Sequence, residues 1–212
     1  MPIMIGCLPS SDRTGRMFAQ RGFTMLEVLV ALLILVIGLL GLAGLLVTTQ
    51  KGEVEAYQRK QAAVLLQDMV DRLLANNKNA GAAGICYAFT TNVAGGTPFL
   101  GTGNAVDAVP ATGCTGGTPA QNTRGLADLQ AWNNALLGTS EVKGTAQVGA
   151  IIDARGCITT TVSEVYTISV AWRGLQPTVA PPAAYTCGLG QYTDEKLRRV
   201  ISVTIRIAKL TA

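Results

Sequence analysis

The feature that most constrains this chain is an apolar run near its N-terminus, which extends from Val28 to Val47 without a charged or strongly polar residue. A helix of about 20 such residues is about 30 Å long, the thickness of the hydrocarbon core of a bilayer. A cleaved secretory signal has a shorter apolar core, of about 7–15 residues, followed by a small-x-small cleavage site. We therefore predict a transmembrane helix over about 28–47, in preference to a cleaved signal or the buried helix of a soluble core.

The charges that precede the run predict its orientation. Arg13, Arg16 and Arg21 lie before it, with Asp12 as the opposing acid. Because positive residues are retained on the cytoplasmic side of a membrane, we expect this end of the chain to be cytoplasmic. The chain from about Gln50 onward would then lie on the other side of the membrane.

Composition argues against several functional classes. Charged residues make up 14% of the chain, the net charge is +4 and no Lys/Arg run is present, so no nucleic-acid partner is expected. The absence of histidine removes His-assisted nucleophiles and His-ligated metals, and no nucleophile motif is recognisable. We expect a protein that is not an enzyme and that needs no cofactor or metal. A membrane-anchored enzyme and an anchored receptor with a ligand-binding head are the alternative classes.

The residues that open the apolar run carry a family signature. The stretch "GFTMLE", Gly22 to Glu27, follows a basic leader and precedes the run. It closely resembles the N-terminal signature of type IV pilins and of type II secretion pseudopilins. The resemblance implies that residues 1–22 are a leader, that a membrane aspartyl prepilin peptidase cuts after Gly22, and that the new first residue, Phe23, is N-methylated.

The length of the leader raises a question about the translation start. Met17 begins "MFAQRG", which by itself is a six-residue leader with one arginine before the cleavage site. We interpret Met17 as a possible true start, in which case the residues before it are an optional or misassigned extension.

Glu27 is an unusual residue for the edge of a membrane helix. A carboxylate at membrane depth costs several kcal/mol unless it is paired. Cleavage after Gly22 would create a charged amine at Phe23, about one helical turn away. The resemblance implies that Glu27 meets the N-terminal amine of an adjacent subunit in a filament. The alternative is a carboxylate that only reaches out to water.

The remaining chain predicts an α+β fold. We expect one long helix over 23–76, of which the second half is amphipathic and packs on a globular head at 77–212. The apolar face of that half is predicted to contain Val54, Tyr57, Ala62, Leu65, Leu66, Met69, Leu73 and Leu74. The resemblance implies a type IV pilin-like arrangement, in which this half packs on a small antiparallel sheet.

Within the head, residues 80–124 are rich in Gly, Thr, Asn and Ala and predict an irregular connection. A short helix is predicted from Leu126 to Gly138, and a short strand from Val148 to Asp153. Alternation predicts two longer strands: one face of the first contains Val162, Tyr166, Ile168, Val170 and Trp172, and one face of the second contains Ile201, Val203, Ile205 and Ile207.

Four cysteines follow the leader, and an even number in an extracytoplasmic segment indicates two disulfides. Three pairings are possible. We favour Cys86–Cys114 with Cys157–Cys187, because each bond closes one irregular region. A metal site made of four thiolates is the competing interpretation, but such a site usually contains C-x2-C pairs, which are lacking.

From Asp153 to Ile205 the head sequence is similar to that of V-type minor pilins, the type IV pilus modification proteins. This resemblance implies a single-pass inner-membrane protein with a periplasmic head, which later enters the pilus fibre at the cell surface. It implies prepilin peptidase, other minor pilins, the major pilin and a tip adhesin as partners, with roles in priming or tipping the pilus, in twitching motility and in adhesion. A minor pseudopilin of a type II secretion system is the alternative.

Overall fold

The structure, a computed structural model, describes residues 22–76, 87–104, 114, 117–144, 146–147, 149, 151–162 and 164–207. Its helices are α1 (Met25–Ala75) and α2 (Pro119–Leu137), and a short 3-10 helix spans Glu195–Leu197. Its strands are β1 (Leu100–Gly101), β2 (Val142–Lys143), β3 (Ala146–Gln147), β4 (Arg155–Val162), β5 (Val165–Arg173) and β6 (Arg198–Arg206). The chain forms two compact units that divide between Val47 and Thr48.

The strands of the second unit form an antiparallel sheet in the order β1-β4-β5-β6, beside a separate two-stranded ribbon of β2 and β3. The β5–β6 register runs without a shift from Val165↔Arg206 to Arg173↔Arg198. The β4–β5 register is interrupted once, between Thr160 and Val162. A long helix with a small antiparallel sheet is the predicted α+β, pilin-like fold, and that prediction is confirmed.

The core of the second unit lies between α1, α2 and one face of the sheet. The buried residues of α1 are Gln58, Ala62, Leu66, Met69, Val70 and Leu73. The apolar members, from Ala62 to Leu73, pack with Leu129, Trp132 and Leu136 of α2 and with Ile158, Tyr166, Ile168, Val170 and Trp172 of the sheet. The Trp132 Nε1–H donates a hydrogen bond to the carbonyl oxygen of Leu65 at 2.8 Å, which joins the two helices.

The predicted apolar face of α1 was wrong at three positions. Val54, Tyr57 and Leu74 are 43%, 60% and 46% exposed, respectively. Tyr57 and Leu74 are each one residue, or about 100° around the helix, away from a buried neighbour. Val54 is in line with the buried stripe but lies one turn before its first buried member, Gln58.

The helix predicted from Leu126 begins earlier, at the start of α2, so the prediction of irregular structure up to residue 124 was wrong there. Thr118 caps the helix: its backbone N–H donates to Gln121 Oε1 at 2.9 Å, and Gln121 N–H donates to Thr118 Oγ1 at 3.4 Å. Pro119 at the first helical position supports the same start. The predicted end is confirmed, since Gly138 closes the helix with a φ of 68°.

The strand predicted from Val148 to Asp153 was wrong. Of its described residues, Ile151 has no regular structure, and the chain turns at the next two, where Asp153 has a φ of 51°. The strand begins instead at Arg155, which the sequence analysis did not predict. Val162 was predicted on the same strand as Tyr166, but it ends β4, and a turn follows it.

One of the two predicted disulfides lies entirely within the described residues. Cys157 and Cys187 are joined, with their Cα atoms 5.7 Å apart. Cys114 is also disulfide-bonded, while Cys86, its predicted partner, lies outside the described residues. The Cys157–Cys187 bond attaches the segment between β5 and β6 to the middle of the sheet.

Candidate processing and assembly site

The predicted cleavage position lies just before α1. Gly22, Phe23 and Thr24 have no regular secondary structure, and α1 begins at Met25. The Phe23 side chain is 81% exposed, and no described atom apart from its chain neighbours would lie within 4 Å of a Cβ added at Gly22. A peptidase requires a peptide bond that it can bind outside a hydrogen-bonded helix, and the Gly22–Phe23 bond is of that kind.

Thr24 determines where the helix starts. The backbone N–H of Glu27 donates to Thr24 Oγ1 at 3.2 Å, and the backbone N–H of Val28 donates to the Thr24 carbonyl at 3.3 Å. This is the N-cap half of a capping box, for which the spacing T-x-x-E is the sequence signal. The stretch "TMLE" contains this signal, although no helix cap was predicted there.

Glu27 therefore lies in the first turn of α1, and its side chain is exposed. The unpaired N–H groups of a helix N-terminus favour a carboxylate there. In the uncleaved chain the nitrogen of Phe23 is an uncharged amide. A charged amine at Phe23 would exist only after the predicted cleavage, so the uncleaved chain contains the carboxylate of the predicted assembly pair without its cation.

The first half of α1 presents apolar side chains on every side. The exposed fractions of its large apolar side chains run from 46% at Val30 to 92% at Met25. Within the described part of the chain, α1 is the one helix long and apolar enough to cross a membrane. A surface of this kind is stable in lipid or against other apolar helices, and it is unfavourable in water.

The second half of α1 is joined to α2 by a buried polar network around Asp128. One carboxylate oxygen accepts from the Tyr87 hydroxyl at 2.8 Å; the other accepts from Arg72 at 3.3 Å and from Arg124 at 3.2 Å. Asn76 Nδ2 donates to the same hydroxyl at 3.1 Å. Burial raises the pKa of Tyr87 above its usual value, and the hydrogen bond to Asp68 is the main cause that raises the pKa of Arg72.

Two arginines on the other side of the sheet are buried beside the Cys157–Cys187 disulfide. Arg155 lies over the rings of Phe99 and Tyr192, at 5.2 Å and 4.5 Å from their centroids. Tyr192 donates to the carbonyl of Asp153 at 3.0 Å, and burial raises its pKa to about 12. Stacking on aromatic faces stabilises a guanidinium that is removed from water.

The second arginine, Arg198, anchors the segment that leads to the disulfide. Its Nη1 donates to the carbonyls of Tyr185 and Cys187 at 2.7 Å and 3.2 Å, and its Nε pairs with Glu195. The two ends of the loop at 174–197 also meet, since the N–H of Gly174 donates to the carbonyl of Leu197 at 2.8 Å. The middle of the loop is open to solvent, and Val179 is 92% exposed.

No metal centre emerges from the part of the chain that the structure describes. Among those residues, no group of three or more His, Cys, Asp or Glu side chains is placed to hold a metal ion.

Comparison with known families gave a match to the N-terminal region. Residues 17–43 match the family described as "Prokaryotic N-terminal methylation motif". The match includes the predicted cleavage position, Glu27 and most of the apolar run. Searches of curated proteins and of solved structures gave no match.

Proposed function

Because the chain carries the N-terminal signature of type IV prepilins on a pilin-like α+β fold, we propose that it is a minor pilin of the type IV pilus. It is cleaved after Gly22 by prepilin peptidase, is N-methylated at Phe23, and joins other minor pilins in a complex that primes or tips the pilus. The observation that supports this proposal most strongly is the order of three features along the chain. The "GFTMLE" stretch contains the capped start of α1, and about 20 exposed apolar residues follow it directly.

Helix packing provides the mechanism. Before assembly, the first half of α1 is in the inner membrane, with the leader in the cytoplasm and the head in the periplasm. During assembly this apolar surface leaves lipid and packs against the corresponding helices of other subunits. The carboxylate of Glu27 pairs with the amine of a neighbouring first residue, so both charges are neutralised where water is excluded. The disulfides of the head agree with an oxidising compartment.

The head provides the partner specificity. It contacts other minor pilins, the major pilin and a tip adhesin, and through them supports twitching motility and adhesion. The resemblance of residues 153–205 to V-type minor pilins favours the pilus over a secretion pseudopilus.

A minor pseudopilin of a type II secretion system is the second candidate, since both classes share the prepilin signature. The two functions differ in which process fails when the protein is lost.

Deletion of the gene, with complementation in trans, tests the proposal. We expect loss of surface pili and of twitching, with exoprotein secretion unchanged and with restoration by the wild-type chain. Complementation with Gly22→Phe, which blocks cleavage, should fail, whereas Gly52→Ala, on the exposed surface of α1, should restore piliation. Lost secretion with normal piliation would instead favour the pseudopilin. Intact piliation and secretion would contradict both.

A further inference from the structure

The two edges of the sheet differ in how they are protected. The β1 edge is two residues long and is covered: Gly101 N–H donates to Asn133 Oδ1 at 2.9 Å, and Thr90 N–H donates to the Ile158 carbonyl at 3.1 Å. The opposite edge is β6, a strand of nine residues. Among the described residues, β5 is its one strand neighbour.

The register shows which backbone groups of β6 point outward. Ile207 N–H donates to the Glu164 carbonyl at 2.8 Å, just beyond the strand. Because hydrogen-bonding direction alternates along an antiparallel strand, the odd-numbered residues of β6 bond to β5. The N–H and C=O groups of Val200, Ser202 and Thr204 therefore point away from the sheet, and no described group pairs with them.

Natural proteins usually disrupt such an edge with proline, a bulge or a central charge. The stretch "RRVISVTIR" of β6 contains no proline or glycine, and its register with β5 is unbroken. Ile201, Val203 and Ile205 pack on the core and hold the strand in place. On the other face, Ser202 and Thr204 share hydrogen bonds with Ser169 and Thr167 at 2.6 Å and 3.0 Å. The open edge is therefore ordered along its length.

The charges of the strand argue against pairing with a second copy. Antiparallel pairing of β6 with itself over its full length, centred on Ser202, places Arg206 of each copy beside Arg198 of the other. Arg198 is buried and already paired with Glu195, so self-pairing brings no free carboxylate to Arg206. β6 contains no acid, and no described carboxylate lies within ion-pair distance of the exposed Arg206.

We propose that the β6 edge binds an extended segment of a different protein, which adds a strand to the sheet and carries an acidic residue that pairs with Arg206. Backbone hydrogen bonds to Val200, Ser202 and Thr204 supply affinity, and the charge at Arg206 selects the segment and its register. This inference goes beyond the role in the pilus and does not depend on it, since the edge belongs to the head.

The test uses the full chain in detergent micelles and a labelled synthetic peptide of alternating valine and threonine with two aspartates at each end. Binding is measured by fluorescence anisotropy, and hydrogen exchange is measured over β6. A peptide with lysine in place of aspartate is the control ligand. We expect the acidic peptide to bind and to slow exchange over β6, with weaker binding at high salt.

Matched variants separate the backbone and charge contributions. Thr204→Pro removes an outward N–H without removing a bond to β5, and we expect about tenfold weaker binding. Thr204→Val also loses the hydroxyl but keeps the N–H, and should bind within about twofold of wild type. Arg206→Glu should reverse the preference and favour the lysine peptide.

Several outcomes would overturn the inference. These are equal binding of both peptides, no slowing of exchange at the outward amides of Val200, Ser202 and Thr204 at millimolar peptide, or protection of those three amides in the free chain. Dimerisation of the chain that Thr204→Pro abolishes would identify a second copy as the occupant, which also contradicts the proposal. None of these results bears on whether deletion of the gene abolishes pili.

Discussion

The Tyr87 hydroxyl donates a hydrogen bond of 2.8 Å to the carboxylate of Asp128, and both groups are buried. The bond joins a residue of the connection after α1 to the middle of α2. Arg72 and Arg124 contact the same carboxylate, but their side chains are more exposed than that of Asp128. Asp128 is therefore the buried centre of the network.

Replacement of Asp128 by alanine should lower the free energy of unfolding by about 1–3 kcal/mol, because the Tyr87 hydroxyl loses its acceptor in a buried site. Asp128→Asn keeps an acceptor and should cost less. Urea unfolding of the full chain in micelles measures both. Asp71→Ala, at an exposed position of α1, is the control, and an equal loss there would contradict the role of burial.

Loss of the Cys157–Cys187 disulfide should destabilise the head by about 3–4 kcal/mol in the chain-entropy model, because the bond closes a sequence separation of 30 residues. The Cys157→Ala/Cys187→Ala double variant avoids leaving a free thiol. Denaturant unfolding measures the change. Mass spectrometry of unreduced peptides then tests the predicted Cys86–Cys114 bond, and a different partner for Cys114 would contradict it.

Gly156→Ala should destabilise the head by about 1–3 kcal/mol through overpacking. A Cβ at this position would lie 2.4 Å from Cη2 of the buried Trp132 and 2.7 Å from Cδ1 of Leu136. Gly52→Ala is the matched control, since no described atom apart from the adjacent residues and backbone of α1 lies within 4 Å of its Cβ position. The control should stabilise α1 by up to about 1 kcal/mol. Equal stability of Gly156→Ala and wild type would contradict the packing described around Trp132.

Stability should fall as the pH rises above about 10. Burial raises the pKa of Tyr166 and of Tyr192 to about 12 in the folded chain, above the value of about 10 in the unfolded chain. Between these values the unfolded chain loses protons that the folded chain keeps, so raised pH favours unfolding. Each tyrosine contributes a loss on the order of 1.4 kcal/mol per pH unit in that window.

Unfolding measured at pH 9, 10 and 11, with tyrosine ionisation followed by absorbance, checks this dependence. Tyr192→Phe removes one titrating group and should reduce the slope. Ionisation of Tyr192 near pH 10 in the folded chain would contradict the burial of its hydroxyl group.

Glu27→Gln should leave cleavage after Gly22 intact but reduce incorporation into pili, because the amine of a neighbouring subunit would meet no charge. Immunoblotting of sheared pili against whole cells measures incorporation, and mass spectrometry of the N-terminus measures cleavage and methylation. Glu53→Gln, at an exposed position farther along α1, is the control. Normal incorporation of Glu27→Gln would contradict the assembly role of this carboxylate.

The parts of the fold that follow from regular patterns could be predicted from the sequence. The end of α1 near Asn76, the glycine that closes α2, and the buried faces of β5 and β6 all follow from periodicity or from turn residues. β4, "RGCITTTV", was missed because Gly156 and Thr160 stand at core-facing positions where alternation would require larger apolar side chains. Its position depends on pairing with β5, which is information from distant residues.

The residues of the candidate site also fall into a group that the sequence predicts and a group that only the fold reveals. The cleavage position and Glu27 are recognisable from local spacing alone. The network at Asp128 and the two buried arginines beside the disulfide are not, since a charged residue in a sequence is normally a surface residue. Only the folded arrangement supplies the aromatic rings and the carbonyl groups that make burial of Arg155 and Arg198 tolerable.

The two ends of the loop at 174–197 are fastened to each other and to Arg198, whereas its centre around Val179 is open to solvent. Substitutions at that centre therefore leave the sheet and the disulfide undisturbed. Diversity among close relatives should accordingly concentrate at 179–184, with the fastening residues on either side held constant.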